Sequence, residues 1–300
     1  MRAAIGIDLG GTNIKAALID TENGSVVSMQ SRPTRDGEFE NEVPRFALTV
    51  REVVRELEAE AGQGELAVGL SAPGLADPAG TCIRWMPGRM HGLESLKWAD
   101  SLERPVQVLN DAHSALLGEV WVGAARGCQD VFMLTLGTGV GGAVFSGGRL
   151  LKGNIGRAGH LGHISLDAGA PVDDFGTPGS LEAAMGNQSI GMRGGDRYAN
   201  TLQLIERVAM GDAEASEIWL ESVRALSVGI ASLINVLDPE KVIIGGGIAV
   251  GAGARLFEPL SGYLDQFEWR PGGHRVEIVP AQAGDLAGCF GAVWNLLKES

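Results

Sequence analysis

Three hundred residues can make one large domain or two ordinary ones, and two are expected. With 45% hydrophobic and 20% charged residues, the chain has the make-up of a soluble globular protein with a sizeable core. A net charge of −13 argues against nucleic-acid and anionic-membrane partners, which need basic patches, so a polyanionic ligand would require locally placed donors or a metal ion.

No apolar run approaches the roughly 20 residues that cross a bilayer, and the N-terminus enters a strand without a signal-peptide pattern. Cys82, Cys128 and Cys289 are odd in number and far apart, which reads as free thiols in a reducing, cytoplasmic setting.

In chain order, the apolar run from Ala3 to Leu9 predicts a buried strand carrying one carboxylate, Asp8. Gly10 and Gly11 follow, and Ile14 to Asp20 resumes as a second strand. Glycines have no side chains, so their N–H groups can lie directly against a phosphate. Thr12 adds a hydroxyl donor, and Asp8 could hold a cation through its water shell. A plain hairpin turn has no use for a charge at the end of an apolar strand.

A third strand is expected over Ser25 to Met29, then an amphipathic helix from about Glu42 to Ala61 with Phe46, Val50, Val53, Val54 and Leu57 on one stripe. Leu66 to Leu70 reads as a strand ending in the tight turn Ser71-Ala72-Pro73-Gly74, at the kind of edge where open α/β sheets bind ligands. After an irregular stretch from Trp85 to Gly92, the strand Val106 to Leu109 delivers Asn110 and Asp111 to a helix running to about Val122. Either residue could cap that helix, and one suffices.

The first device then recurs. Val131 to Leu136 is apolar, Gly137-Thr138-Gly139-Val140-Gly141-Gly142 reads as the turn, and Ala143 to Phe145 resumes a strand. Two such hairpins suggest two related half-domains facing one nucleotide. The second also matches G-x-G-x-x-G, but a dinucleotide site requires that motif to open a helix, and here it runs into Ser146-Gly147-Gly148. No Gly-Lys-Ser/Thr occurs, which excludes a Walker-type loop.

Within Gly159-His160-Leu161-Gly162-His163, the two histidines could be metal ligands, sugar ligands or neither. A loop from Asp167 to Gly179 leads to a short helix at Ser180-Leu181-Glu182. Helices are expected over Leu202 to Met210 and Ala213 to Leu237, then a strand, Val242 to Ile244, entering Gly245-Gly246-Gly247. A helix from Gly253 to Phe267, a strand from Val276 to Val279 and a last helix from Asp285 to Lys298 complete the chain. No Pro/Ser-rich linker breaks it, so the division is placed near Ala112 to Gly123, as domains 1–113 and 114–284, with 285–300 packing back on the first.

Asp8-Leu9-Gly10-Gly11-Thr12, Ser71-Ala72-Pro73-Gly74, Asn110-Asp111, Gly137 to Gly142, Gly159 to His163 and Gly245-Gly246-Gly247, in this order and spacing, resemble the ROK family over nearly the whole chain. That family comprises repressors, open-reading-frame proteins and sugar kinases. The resemblance implies an α/β fold of two ribonuclease-H-like, actin/hexokinase-type domains, each a mixed sheet flanked by helices, with an interdomain cleft. It also implies ATP and Mg2+ as cofactors and a hexose, N-acetylated amino sugar or related polyol as substrate. Carried over, Asp8 would serve magnesium through water, while Gly10, Gly11, Thr12, Lys15, Gly137, Thr138 and Gly139 would bind the nucleotide phosphates and Gly246 and Gly247 would lie beside the adenosine. Pro73, Gly74, Asn110, Asp111, His160, His163 and Glu182 would contact the sugar, with Asp111 as general base. Phosphoryl transfer needs such donors, a metal ion and a base near the nucleophile. A homodimer or homotetramer is expected. Family repressors carry an N-terminal DNA-binding region, and Asp8 stands almost at the start, so the kinase branch is favoured. A sugar-binding or regulatory member with little kinase activity is the alternative.

Two departures stand out. Kinases resembling this chain commonly bind a structural zinc through one His and three Cys, and those cysteine positions fall here on Asp173, Phe175 and Ser180. Phe cannot ligate, so no structural zinc is expected, and the loop should be held by packing with Phe175 buried in the metal's place. His160 also stands where sugar kinases of the family usually carry Glu, as in members acting on N-acetylmannosamine, which puts glucose in question.

Overall fold

Two five-stranded sheets share one plan, a glycine hairpin followed by parallel strands. The computed structural model describes residues 2–62 and 64–299. The first sheet comprises β1 (Ala3–Leu9), β2 (Asn13–Asp20), β3 (Val26–Pro33), β4 (Ala67–Ala72) and β5 (Val106–Asn110), in the order β3-β2-β1-β4-β5. β1 runs antiparallel to β2 and parallel to β4, which is parallel to β5. The second comprises β6 (Val131–Leu136), β7 (Val140–Ser146), β8 (Arg149–Leu150), β9 (Lys241–Gly245) and β10 (Glu277–Pro280), in the corresponding order β8-β7-β6-β9-β10. The repeat read from the two glycine hairpins is thus a repeat of whole sheets.

Alternation along β1 sorts its side chains onto two faces. Ile5, Ile7 and Leu9 pack with Phe46, Val50, Val53 and Leu57 of helix α1 (Arg45–Ala61). Ala4, Gly6 and Asp8 face the final helix, Ala287–Glu299, which contributes Cys289, Phe290 and Val293 to a second apolar layer. A side chain at Gly6 would run into the Cys289 carbonyl, and one at Gly69 into that of Ala292, so these glycines let the helix lie directly on the strands. Helix α2 (Asp111–Val122) crosses the final helix through Gly118 and Gly291, each backed by the other helix's carbonyls.

In the second unit, α3 (Ala213–Leu237) supplies Trp219, Val223, Leu226 and Ile230, and α4 (Ala254–Phe267) supplies Leu256, Leu260 and Leu264, to a core shared with Phe132, Leu134, Val242 and Ile244. By length and composition alone α3 could cross a membrane, contrary to the expectation that no segment would, but half of its apolar window is buried inside the unit.

Several boundaries move. Helix α1 starts at Arg45, because Asn41 and Glu42 take left-handed φ values of 49° and 68° in a tight turn pairing Phe39–Glu40 with Val43–Pro44. β3 extends to Pro33. β7 begins at Val140, so Gly141 and Gly142 belong to the strand rather than the turn. Gly142 is glycine because the Gly159 carbonyl and Leu161 lie 2.7 Å from where a Cβ would stand. A helix over Gly247–Ala252, broken at Gly253, precedes α4. The division also differs. One unit holds the chain up to Gly127, Leu150–Ala158 and the segment from Gln282 onward, and the other holds Cys128–Arg149 and Gly159–Ala281. The expected cut at 113/114 falls inside α2, which stays whole in the first unit because it packs along the final helix.

Candidate functional site

In the first unit, three parallel strands end side by side. Their register sets Asp8 opposite Ser71 and Ala72 opposite Asn110. The Ser71 hydroxyl donates to Asp8 at 2.8 Å. Burial pushes the Asp8 carboxyl above its ordinary range, with Ser71 and then Lys15 pulling the other way. Lys15 sits across the β1–β2 pair from Asp8, and its Nζ donates to the Asp285 carbonyl at 3.2 Å and pairs with the exposed Asp285 carboxylate at 3.4 Å. Such an exposed pair adds little stability.

The turn between β1 and β2 is tied back by Thr34, which is fully buried. Its hydroxyl donates to the Gly10 carbonyl at 2.6 Å and its N–H to the Thr12 carbonyl at 2.9 Å. A trans peptide points its C=O and N–H to opposite sides. Fixing the Gly10 carbonyl therefore aims the Gly11 N–H out of the turn, and that N–H has no acceptor among the described residues.

Asn110 takes the capping role at the start of α2, its side-chain oxygen accepting from the Ala112 and His113 N–H groups at 2.9 and 3.2 Å. Its amide nitrogen donates to the Gly74 carbonyl at 2.9 Å and to Asp111 at 2.9 Å. Gly74, at φ 100°, follows Pro73 and packs under Trp85, Ile83 and Met86, where no side chain fits. Asp111 stands at the helix start, exposed as a residue although protein crowds its carboxyl group. The protein packed around that carboxylate, and then the neighbouring Asp8 charge, raise its pKa to about 6, against hydrogen bonds from Ala112 and Asn110 and the charge of Arg89. Asp8, Asn110, Asp111 and Gly74 are thus brought together in one unit.

In the second unit, the turn Gly137–Gly139 is held from behind in the same manner. The Asn187 N–H donates to the Gly137 carbonyl at 2.9 Å and the Gln188 N–H to the Thr138 carbonyl at 2.8 Å. Glu182, on the short helix Leu181–Met185 capped by Ser180, lies against this turn, its Oε2 accepting from the Val140 N–H at 2.9 Å. Gly246, at φ 90°, stands at the end of β9 with the Leu136 carbonyl where a Cβ would be, and Gly247 opens the next helix.

His160 and His163 flank a single 3-10 turn, Leu161–His163, that lies on β7 through Gly162. His160 is half-buried and His163 exposed. The Phe175 ring stands edge-on to His163 with centroids 5.1 Å apart. Asp173 accepts from the Phe175 and Thr177 N–H groups, both at 2.9 Å. Burial raises its carboxyl, but bonds from Ser180, Thr177 and Phe175 and the charge of His163 hold it below its ordinary range. The three positions matched to zinc cysteines therefore do gather beside His163, with donors that do not suit zinc, and no metal-binding cluster occurs among the described residues. Phe175 is 47% exposed, so it does not fill a buried metal position as expected; it covers one edge of the His163 ring instead.

Thr34, Asn187 and Gln188 were missed from the sequence, and no local signal marks them, since each acts on a turn distant in the chain. Ser71 could have been found, as a hydroxyl closing an apolar strand that lies parallel to the strand of Asp8.

Comparison with known proteins fits this geometry. Residues 4–299 match the model of the ROK family. The chain is 32% identical to a glucokinase of Thermotoga maritima, over 98% of this chain and 97% of that protein. It is 31% identical to an N-acetylmannosamine kinase of Escherichia fergusonii, over 96% of each. The structure of a ROK glucokinase from Streptomyces griseus in complex with glucose and AMPPNP superposes with a TM-score of 0.77 at 27% identity, covering 99% of this chain and 100% of that one. The chain therefore belongs to the ROK family, with its actin/hexokinase-type fold.

Proposed function

We propose that the protein is an ATP-dependent kinase acting on a sugar hydroxyl. The observation that carries this reading is the pair of glycine turns, each with carbonyls tied back and N–H groups left facing outward, as a polyphosphate requires in a chain of net charge −13. Gly10, Gly11, Thr12, Lys15, Gly137, Thr138 and Gly139 are assigned to the phosphates, and Gly246 and Gly247 to the adenosine. Asp8, a carboxylate at a strand end with one side-chain hydrogen bond among the described residues, suits a magnesium ion held through water. That ion, when bound, offsets negative charge on the phosphates.

Asp111 is assigned as the base that takes the proton from the attacking hydroxyl. A carboxylate with a pKa near 6 is ionised at neutral pH yet more basic than an ordinary aspartate. Pro73, Gly74, Asn110, His160, His163 and Glu182 are assigned to the sugar. Glu182 spends one oxygen on Val140, and its other takes no hydrogen bond among the described residues, so it can accept from a hydroxyl. A coupled assay of ATP consumption against hexoses, N-acetylated amino sugars and inositols tests the reading; consumption dependent on one sugar supports it, and none with any sugar contradicts it.

Among substrates, His160 favours one other than glucose. A carboxylate only accepts hydrogen bonds at neutral pH, whereas an imidazole donates from one nitrogen and accepts at the other. His at this position also removes a negative charge, which suits an N-acetylated or acidic sugar, and one of the relatives acts on N-acetylmannosamine. His160→Glu is expected to move the kcat/KM ratio toward glucose by about tenfold or more, one hydrogen bond to a buried polar group being worth roughly 1–3 kcal/mol. An unchanged ranking of sugars would return His160 to packing.

The purified protein is expected to hold no stoichiometric zinc, because Asp173, Phe175 and Ser180 surround His163 instead of thiolates. Elemental analysis and melting with and without a chelator check this. Zinc near one equivalent, or a chelator-induced fall in Tm, is the contrary result.

A further inference from the structure

Arg193 lies on the helix Ile190–Gly194 of the second unit. Its guanidinium donates to the Gly186 carbonyl at 2.5 Å, to the Ser222 hydroxyl at 3.0 Å and to the Thr201 hydroxyl at 3.3 Å. Every one of these acceptors is neutral. No carboxylate lies within ion-pair distance of Arg193 among the described residues, and its buried Nε has no partner there. Burial lowers its pKa only to about 10, so the group remains a cation at neutral pH. A buried cation without a counter-charge is costly, and a neutral donor could tether the same three oxygens without that cost.

The Gly186–Asn187 peptide shows where the charge is directed. Its carbonyl accepts from Arg193, and its N–H donates to the Gly137 carbonyl. Gly186 itself is pressed against the turn, with Gly139 Cα and the Thr138 carbonyl each 3.2 Å from where a Cβ would stand. With the Gly137 and Thr138 carbonyls held toward Asn187 and Gln188, the Thr138 and Gly139 N–H groups must face the opposite side, since the peptides of this turn are trans. Neither of those N–H groups has an acceptor among the described residues.

We infer that Arg193 is a positioning residue for the phosphate-binding face of the Gly137–Gly139 turn: through the Gly186–Asn187 peptide it fixes the Gly137 carbonyl backward, beside the Thr138 carbonyl held by the next N–H, and its uncancelled charge adds attraction for an anion in front. This rests on the nucleotide reading of that turn. It separates phosphate binding from adenosine and sugar binding, which a merely structural role would not do.

The test is calorimetric binding of Mg-AMPPNP and of adenosine to the wild type, Arg193→Met and Arg193→Lys, at a temperature where each is folded, together with KM for ATP and for sugar. Arg193→Met is expected to bind AMPPNP about tenfold or more weakly, the scale of one charge-assisted hydrogen bond. Adenosine affinity and sugar KM should stay near wild type. Arg193→Lys keeps the charge and reach to one carbonyl, so it should fall between, and it carries the test alone if the Met variant does not fold. Unchanged AMPPNP affinity, or equal losses for AMPPNP and adenosine, overturns the inference. Binding is read apart from turnover: a wild type that binds AMPPNP but phosphorylates no sugar contradicts the proposed function alone, and the variants still decide on Arg193. A wild type that binds no AMPPNP contradicts both.

Discussion

Asp111→Asn is expected to lower turnover by roughly 10²–10⁴-fold, the range for losing a general base, while raising thermal stability at pH 7. Asn keeps the shape and can still accept from the Ala112 N–H, as Asp111 does at 2.8 Å. It cannot take a proton from a hydroxyl. The stability gain follows from linkage. The Asp111 pKa rises from 3.8 to about 6 on folding, so the folded protein holds the proton more tightly than the unfolded chain. Its contribution is fully present below pH 3.8 and is lost as pH rises through about 6, leaving a charge that opposes folding at pH 7. The variant should therefore be the more stable protein at pH 7, and the difference should vanish near pH 4. The same group predicts that wild-type kcat/KM falls as pH drops below about 6, since the base must be ionised. Near-normal turnover in Asp111→Asn, or a flat profile through pH 6, would remove Asp111 from that role.

Glu119→Ala should be the most damaging single change to stability. Glu119 is fully buried in α2. One carboxylate oxygen accepts from the Gln282 and Ala283 N–H groups, both at 2.8 Å, and the other from Ala124 at 2.7 Å. It thus binds the segment that returns to the first unit ahead of the final helix. Truncation removes the acceptor of three part-buried N–H groups, each loss costing up to about 1–3 kcal/mol, in addition to a cavity. Water reaching these part-exposed groups recovers part, so a net loss of about 3 kcal/mol is expected from the lost hydrogen bonds and the cavity. At about 2–4 °C per kcal/mol, that lowers Tm by roughly 10 °C. Glu119→Gln keeps one acceptor oxygen and should lose less. A melt of Glu119→Ala within a degree or two of wild type would contradict this account of the returning segment.

How much of this was legible in the sequence varies with the range of the interaction. The two hairpins were readable because a charge or a glycine cluster interrupts an apolar strand, and local chemistry explains both. The final helix was expected to pack back on the first domain without a residue-level reason, and its segment lies in the first unit. The start of β7 was not readable, because Gly141 and Gly142 look like turn residues when their task is to admit the Gly159–His163 segment. Helix α1 was begun too early because Val43 continues the apolar stripe, although Pro44, directly after the left-handed turn at Asn41 and Glu42, marks the helix start. Thr34, Asn187 and Arg193 were invisible for a common reason. Each acts on a glycine turn far away in the chain, and nothing in its own neighbourhood distinguishes it from a surface residue.

The central claim, transfer of a phosphoryl group from ATP to a sugar hydroxyl, is tested most directly by product identification. Purified wild-type protein is incubated with Mg2+, γ-18O-labelled ATP and single sugars, glucose and N-acetylmannosamine among them, and the sugar fraction is analysed by mass spectrometry. The account predicts a labelled sugar monophosphate, formed more readily from a substrate other than glucose and nearly absent with Asp111→Asn. Labelled inorganic phosphate alone, with no sugar phosphate from any member of the panel, would contradict it.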